Sequence, residues 1–185
     1  YGPVEDLSME KAQQQFEVNV YGVARLTKKV LPYMRKQQDG LIINTSSMGG
    51  KIYTPLGAWY HASKHAIEGF SDCLRMEVKE FGIKVVVLEP GMINTGFNAT
   101  VGQNFSYESK NGAYSRLVNA YIKAMENNPT PGSNPEVIPR AVLKTINARN
   151  PKTRYLVGRG AKLLVGIRRI FGDKFFDRMM LMTFR

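Results

Sequence analysis

One order of events between Leu41 and Gly91 restricts this chain more than anything else in it: a short apolar run, a long helical pattern, then a second short apolar run. Leu41-Ile42-Ile43-Asn44-Thr45 gives way to Ser46-Ser47 and Gly49-Gly50. Ile83-Lys84-Val85-Val86-Val87-Leu88 gives way to Glu89-Pro90-Gly91. Apolar runs of this length, rich in branched side chains and closed by turn residues, read as strands covered on both faces. The segment from about Ala58 to Phe81, stopped by Gly82, is far too long for a hairpin turn and reads as a helix. Two strands joined by such a helix lie parallel.

The flanks extend the pattern. Ser8 is a plausible N-cap and Glu10 suits the first turn. Ala12, Phe16, Val20, Val23, Ala24, Val30, Leu31 and Met34 then recur at threes and fours, which predicts one long helix closing near Lys36 before Asp39-Gly40. Residues 96–134 read as irregular, with a helix near Tyr114 to Glu126. A further helix opens at Pro135 and runs to about Arg149, and Tyr155-Leu156-Val157 is a brief third strand. Three strands are too few, because a parallel sheet needs covered faces and neighbours at its edges. Further strands are therefore expected before Tyr1. Residues 1–157 read as the C-terminal part of a single α/β domain with a doubly wound parallel sheet, 96–134 as a loop or lid, and 158–185 as a basic amphipathic extension.

Composition excludes several classes. At 43% hydrophobic and 10% aromatic, the chain can offset its ordering entropy, which argues against disorder. No apolar run reaches the roughly 18 residues of a spanning helix. The lone cysteine, Cys73, cannot form an internal disulfide, so a reducing, cytoplasmic setting is expected. The net charge is +11, and from Pro151 onward nine bases face two acids. Interleaved with those bases are Leu163, Leu164, Ile167, Ile170, Phe171, Phe175 and Met179, near a helical repeat. A terminal helix with its stripe on the core fits this, and so does a basic helix in peripheral contact with an anionic membrane. No zinc-finger spacing, RNP-like strand or basic zipper is present, so nucleic acid is not an expected partner.

The chemistry gathers around Tyr60 and Lys64, spaced i, i+4 on one helix face. An ammonium beside a phenol favours the phenolate and prepares it for proton exchange with a hydroxyl or carbonyl. The pair alone carries little; its neighbours make it specific. Ser47 closes the strand thirteen residues before Tyr60, and Pro90-Gly91 closes the next one thirty residues after it. Both lie at strand C-termini, where ligands bind in open α/β sheets. Asn19, a short polar residue inside the first helix, marks a candidate distortion there.

Taken together, Asn19, Ser47, Tyr60 and Lys64 resemble the Asn-Ser-Tyr-Lys tetrad of the short-chain dehydrogenase/reductase family. The segments Phe16-Glu-Val-Asn-Val-Tyr-Gly22, Ile43-Asn-Thr-Ser-Ser-Met-Gly-Gly50, Tyr60-His-Ala-Ser-Lys64 and Pro90-Gly-Met-Ile-Asn-Thr95 match it in order and spacing. The resemblance implies a Rossmann-like fold, of which this chain holds the C-terminal half, and an NAD- or NADP-dependent exchange between an alcohol and a ketone or aldehyde. It makes Tyr60 the general acid/base and Ser47 the partner of the substrate oxygen. Lys64 would tune Tyr60 and hold the nicotinamide ribose, and Asn19 would help bind a proton-relay water. Pro90, Gly91, Ile93 and Thr95 would border the nicotinamide. The family's glycine-rich phosphate turn is missing from the sequence, whose Gly158-Arg-Gly160 lacks a third glycine. That turn is expected before Tyr1, and the chain as it stands should not hold a dinucleotide tightly.

His61 and His65 share a helix face, but Ala62 stands where a zinc protease has Glu and Lys64 would repel a cation; no metal is expected, and both histidines read as partly exposed. Cys73 has no base placed beside it and is not read as a nucleophile. The aromatics Phe97, Phe105, Tyr107, Tyr114 and Tyr121 fit either simple packing or a lid over an apolar ligand. The expected substrate contacts are Ser47 and Gly49 on one side and Phe97 and Phe105 on the other. The sequence also resembles the retinol and 17β-hydroxysteroid dehydrogenase branch, which implies a small lipophilic alcohol or ketone and a homodimer or homotetramer. The competing reading is a catalytically inactive remnant working as a membrane-surface or oligomerisation module.

Overall fold

The computed structural model describes residues 1–96, 101, 105–127 and 131–184. Three parallel strands, β1 (Gly40–Thr45), β2 (Ile83–Pro90) and β3 (Arg154–Val157), form a sheet in that order. Gly40 pairs with Ile83 and Thr45 with Leu88, while Val87 pairs with Arg154 and Pro90 with Val157. The central strand buries Ile83, Val85, Val86, Val87, Leu88 and Glu89 almost completely. This is why its sequence is continuously apolar rather than alternating. The polar exception, Glu89, matters below.

The expected single helix over 8–36 is three pieces. α1 (Met9–Phe16) starts at Ser8, whose Oγ accepts from the Lys11 N–H. A π-helical turn spans Glu17–Tyr21, and α2 (Gly22–Gln37) follows. The turn carries Asn19, whose Nδ2 donates to Ser63 Oγ, on the helix Ala58–Glu77, at 3.0 Å. π-turns widen a helix by one residue and are frequent at functional sites.

α3 (Ala58–Glu77) is the crossover between β1 and β2. It ends earlier than expected, passing into a 3-10 turn at Lys79–Phe81 and then into Gly82 at φ 70°. A Cβ at Gly82 would collide with the Gln38 carbonyl, so glycine serves both the left-handed backbone and the close approach. Between sheet and helices, Ile42, Leu74, Val78, Ile83 and Val85 form a core flanked by Leu31, Met34, Phe70 and Phe81. Each such side chain contributes about 1.5–3 kcal/mol by leaving water. Asn44 is buried among them and donates to Ser71 Oγ at 2.9 Å, which pins β1 to α3.

Beyond β2 come α4 (Tyr107–Asn111), inside the segment read as irregular, and α5 (Ser115–Asn127). α6 (Val137–Ile146) leads into β3. α7 (Ala161–Thr183) is not the continuous amphipathic helix expected: Gly172, at φ 73° and ψ −178°, divides it into limbs 161–171 and 173–183. Among its residues only Ala161 and Phe176 are fully buried, whereas Leu163, Ile170, Phe171 and Phe175 are exposed. The break re-aims the second limb, so one face cannot rest on the core along the whole length. No helix among the described residues is long and apolar enough to cross a membrane.

Candidate active site

Because β1 and β2 are parallel, the turns after them emerge on the same side of the sheet. Ser46 N–H bonds to the Leu88 carbonyl and Gly91 N–H to the Val157 carbonyl, so the ladder extends just past the strand ends. A cavity of about 1510 Å³ opens there. Asn19, Ser47, Gly49, Tyr60, Lys64, Pro90, Gly91, Ile93 and Thr95, which the sequence singled out separately, all line it.

Ser47 caps the 3-10 turn Met48–Gly50. Its Oγ accepts from the Gly49 N–H at 3.0 Å and donates to the Pro90 carbonyl at 3.4 Å, tying one strand end to the next. Tyr60 sits in the first turn of α3. Burial pushes its phenol above the ordinary 10, with the hydrogen bond to Ser47 acting the other way. Lys64, one turn on, donates from Nζ to the Thr45 carbonyl at 3.1 Å and lies 6.0 Å from the centre of the Tyr60 ring. Burial lowers the affinity of its amine for a proton. The expected depression of the Tyr60 phenol by Lys64 is therefore not what this geometry holds. The ammonium is anchored on a backbone carbonyl, and burial is the larger influence on both groups. Asn19 reaches the site through Ser63, which is fully buried and donates to the Tyr60 carbonyl at 2.7 Å. The relay Asn19–Ser63–Tyr60 carbonyl fixes where the π-turn meets α3.

Two positions need a different account from the one the sequence suggested. His61 is buried rather than partly exposed; His65 alone is on the surface. His61 Nε2 accepts from the Thr54 N–H at 3.1 Å, so Nδ1 carries the proton and donates to the Gly49 carbonyl at 2.9 Å. Burial holds the ring neutral. His61 thus fastens residues 49–54 to α3 directly beside Tyr60. Its close packing also explains Gly49, where a Cβ would come within 2.9 Å of His61 Nδ1 and 3.1 Å of the Tyr60 ring. Phe105 is 5% exposed and packs edge-on against Tyr121, behind the cavity wall rather than in it. Phe97 lies outside the described residues.

Much of the remaining lining is apolar, with Leu117, Tyr121 and Met125 from α5 and Leu181 and Phe184 from the end of the chain, although Arg116, Lys123 and Thr183 also border the cavity. Phe184 stacks on Tyr121 at 4.9 Å between ring centres, and burial pushes the Tyr121 phenol up to about 12. The part played by residues 181–184 has no sequence signal, since it depends on the break at Gly172. Among the described residues no group of three or more His, Cys, Asp or Glu is placed to hold a metal ion, and Cys73 is exposed.

Fold and site together define an α/β protein with a doubly wound type of parallel sheet and a ligand cavity at its strand C-termini. A family model for short chain dehydrogenases matches residues 1–105, and the chain belongs to the short-chain dehydrogenase/reductase family. It is 37% identical over 172 residues to the uncharacterized oxidoreductase YusZ of Bacillus subtilis, covering 92% of this chain and 61% of the relative. It is 39% identical over 158 residues to 3-ketodihydrosphingosine reductase of Bacteroides thetaiotaomicron, covering 85% and 58%. The crystal structure of a short-chain dehydrogenase from Streptomyces avermitilis superposes with a TM-score of 0.73 at 30% identity, over 89% of this chain and 58% of that one. The chain thus spans about three-fifths of the length of the relatives it matches.

Proposed function

We propose that this chain is the catalytic part of an NAD(P)-dependent oxidoreductase that interconverts a lipophilic alcohol and its ketone or aldehyde. One observation carries the reading: Ser47, Tyr60 and Lys64 meet around a single cavity at the strand ends, in a chain of this family. The residues present fit the nicotinamide end of the cofactor. Lys64 and Tyr60 offer donors to ribose hydroxyls, and the Pro90–Thr95 segment is held as a wall by Ser133, which exchanges backbone bonds with Met92 and Asn94 at 2.9 Å. When bound, the cofactor supplies or takes the hydride. In reduction Tyr60 passes its hydroxyl proton to the substrate oxygen, and Ser47 donates to that oxygen as charge gathers on it. The phenolate left behind is reprotonated from solvent on the Asn19 side of the cavity. In oxidation the same proton moves the other way. NAD and NADP are both compatible with the residues of this chain.

The apolar side chains of Leu117, Tyr121, Met125, Leu181 and Phe184 in the cavity lining support a lipophilic substrate, and so does the relative named 3-ketodihydrosphingosine reductase. The test is a series of n-alkyl ketones of increasing length, assayed with NADH and with NADPH on the complete protein carrying this chain. We expect kcat/KM to rise about fourfold per added methylene until the wall is covered. A flat series would overturn the lipophilic assignment, and no turnover with either cofactor would leave the inactive-remnant reading in its place.

Two finer parts of the reading concern partners. Exposed Val18, Leu26 and Tyr33 along the π-turn and α2 support a homodimer or homotetramer. Exposed Ile170, Phe171 and Phe175, beside Arg169 and Lys174, support peripheral contact of the α7 elbow with an anionic bilayer. Phe171→Ser with Phe175→Ser is expected to cut sedimentation with phosphatidylserine vesicles at least tenfold and to lower the weaker binding to phosphatidylcholine vesicles as well, since apolar insertion serves both. Equal sedimentation of wild type and variant would remove the membrane from the account.

A further inference from the structure

Directly beneath the cavity floor lies a cluster of charges that the reaction does not use. Glu68 on α3 and Glu89 on β2 are 4% and 1% exposed, among the most deeply buried polar residues of the chain. Facing them are Lys51 from the turn after Ser47, Arg154 at the start of β3, and Asp72 one helical turn along α3. The donors are unevenly shared. Glu68 Oε2 receives Lys51 Nζ at 2.9 Å and Arg154 Nε at 3.0 Å, and Arg154 Nη2 is spent on Asp72 at 2.6 Å. Asp72 also takes Arg75. Arg154 Nε is 3.3 Å from Glu89 Oε1 but its hydrogen points at Glu68, so Glu68 Oε1 and Glu89 Oε1 are both buried without a hydrogen-bond donor.

Two dry carboxylate oxygens with no donor between them repel each other and have lost their water. A single proton taken from solvent removes both penalties, because a carboxylic acid donates to its carboxylate neighbour. Burial first, and then the Glu68 charge, raise the proton affinity of Glu89 to about 7, against the opposing pull of Lys51 and Arg154.

We propose that Glu68 and Glu89 share one proton and act as a positioning pair that sets the distance between the Ser47 turn and the Pro90–Gly91 turn. The connections are short. Glu89 is followed at once by Pro90, whose carbonyl accepts a hydrogen bond from the Ser47 hydroxyl. Lys51 closes the turn that Ser47 opens, and its carbonyl is held by Arg168 at 2.7 Å. Glu68 follows Lys64 by one helical turn, and its Cγ lies against Gly50, where a Cβ would meet it at 3.0 Å. Loss of the shared proton leaves two like charges between α3 and β2 and drives the two turns apart. The effect on turnover rests on the oxidoreductase reading above; the shared proton and its effect on the turns do not.

The test uses the complete protein, with Glu89→Gln and Glu68→Gln as variants that keep side-chain size and hydrogen bonding. In the wild type, the infrared carbonyl band of a protonated carboxyl should be present at about pH 6 and lost by about pH 8.5. The amide resonances of Gly49 and Gly91 should move with the same midpoint. In Glu89→Gln that band and both amide titrations should vanish with the fold intact, and in reduction the descending limb of kcat/KM centred near pH 7 should vanish with them. Absence of the band at pH 6, or its survival in both variants, would overturn the shared proton. A titrating band with stationary Gly49 and Gly91 amides would overturn the positioning role. If the band and amides titrate but no variant or wild type turns over any ketone, it is the oxidoreductase reading that fails and the pair that stands.

Discussion

Replacing Tyr60 with phenylalanine in the complete protein is expected to lower kcat/KM by about 10²–10⁴-fold, the usual worth of a positioned proton donor. The substitution removes one oxygen and leaves the ring where it is. That ring lies 5.6 Å from Tyr1 and 5.4 Å from His61, and Lys64 Nζ sits 6.0 Å over it. None of these contacts needs the hydroxyl, so the fold should survive with a stability loss near 1 kcal/mol for one hydrogen bond. Cofactor affinity should fall by no more than about tenfold, the worth of the one hydrogen bond Tyr60 offers the ribose, because Lys64 and the Pro90–Thr95 wall are untouched. Two further phenols provide internal controls. Tyr1 and Tyr121 are also buried in this cavity wall, with ionisation pushed well up by burial, and of the three only the Tyr60 phenol has its ionisation favoured by the Ser47 hydroxyl. Tyr121→Phe should therefore cost only a few-fold, through packing on Phe184. Wild-type turnover by Tyr60→Phe would sink the assignment of the acid/base, and an equal loss in Tyr121→Phe would point to wall geometry instead.

The parts of this architecture legible in the sequence are those decided locally. Ile42 to Thr45 and Ile83 to Leu88 read as strands because helices cover both sheet faces, which leaves no polar alternation to confuse the pattern. The candidate residues Ser47, Tyr60 and Pro90, which line the cavity, are legible because each sits at a fixed offset from a strand or helix end. Other features depend on segments far apart in sequence. The π-turn at Asn19 follows from a bond to Ser63, forty-four residues away. His61 reads as partly exposed because helical spacing says nothing about residues 49–54 folding back over it. Phe105 looked like a cavity residue, but its ring is spent supporting Tyr121. The break at Gly172 hides inside a sequence with an unbroken helical repeat, since a glycine in a helix and a glycine at φ 73° are spelled alike. Glu89 is the clearest case. In sequence it is a polar residue ending a strand, where a turn would expose it. In the structure β3 and α3 close over it.

That burial makes the loss of Arg154 costly to stability. Arg154→Met retains the length and apolar stem of the side chain, so packing against α3 is largely preserved. What is lost is the guanidinium that serves Glu68 at 3.0 Å, Asp72 at 2.6 Å and the neighbourhood of Glu89. Removing one partner of a buried charge network costs about 3–5 kcal/mol, since the remaining charges stay desolvated without compensation. For a domain of this size that lowers Tm by roughly 6–20 °C. The penalty should also depend on pH in a stated direction. Glu89 holds its proton in the folded chain to about 7, whereas the unfolded carboxyl releases it near 4.5. The folded state therefore binds the extra proton in that window, and stability falls as pH rises through it. With Arg154 gone the window widens upward, so Arg154→Met should be most nearly rescued at about pH 5 and most unstable at about pH 8. Adding Glu68→Gln and Glu89→Gln to Arg154→Met removes the unpaired charges and should return more than half of the lost stability. Because network members are coupled, the triple variant should be more stable than the Arg154→Met single. If it is instead less stable, the arginine was supporting the fold through packing, and the buried carboxyl pair is not the element that joins the two halves of the cavity floor.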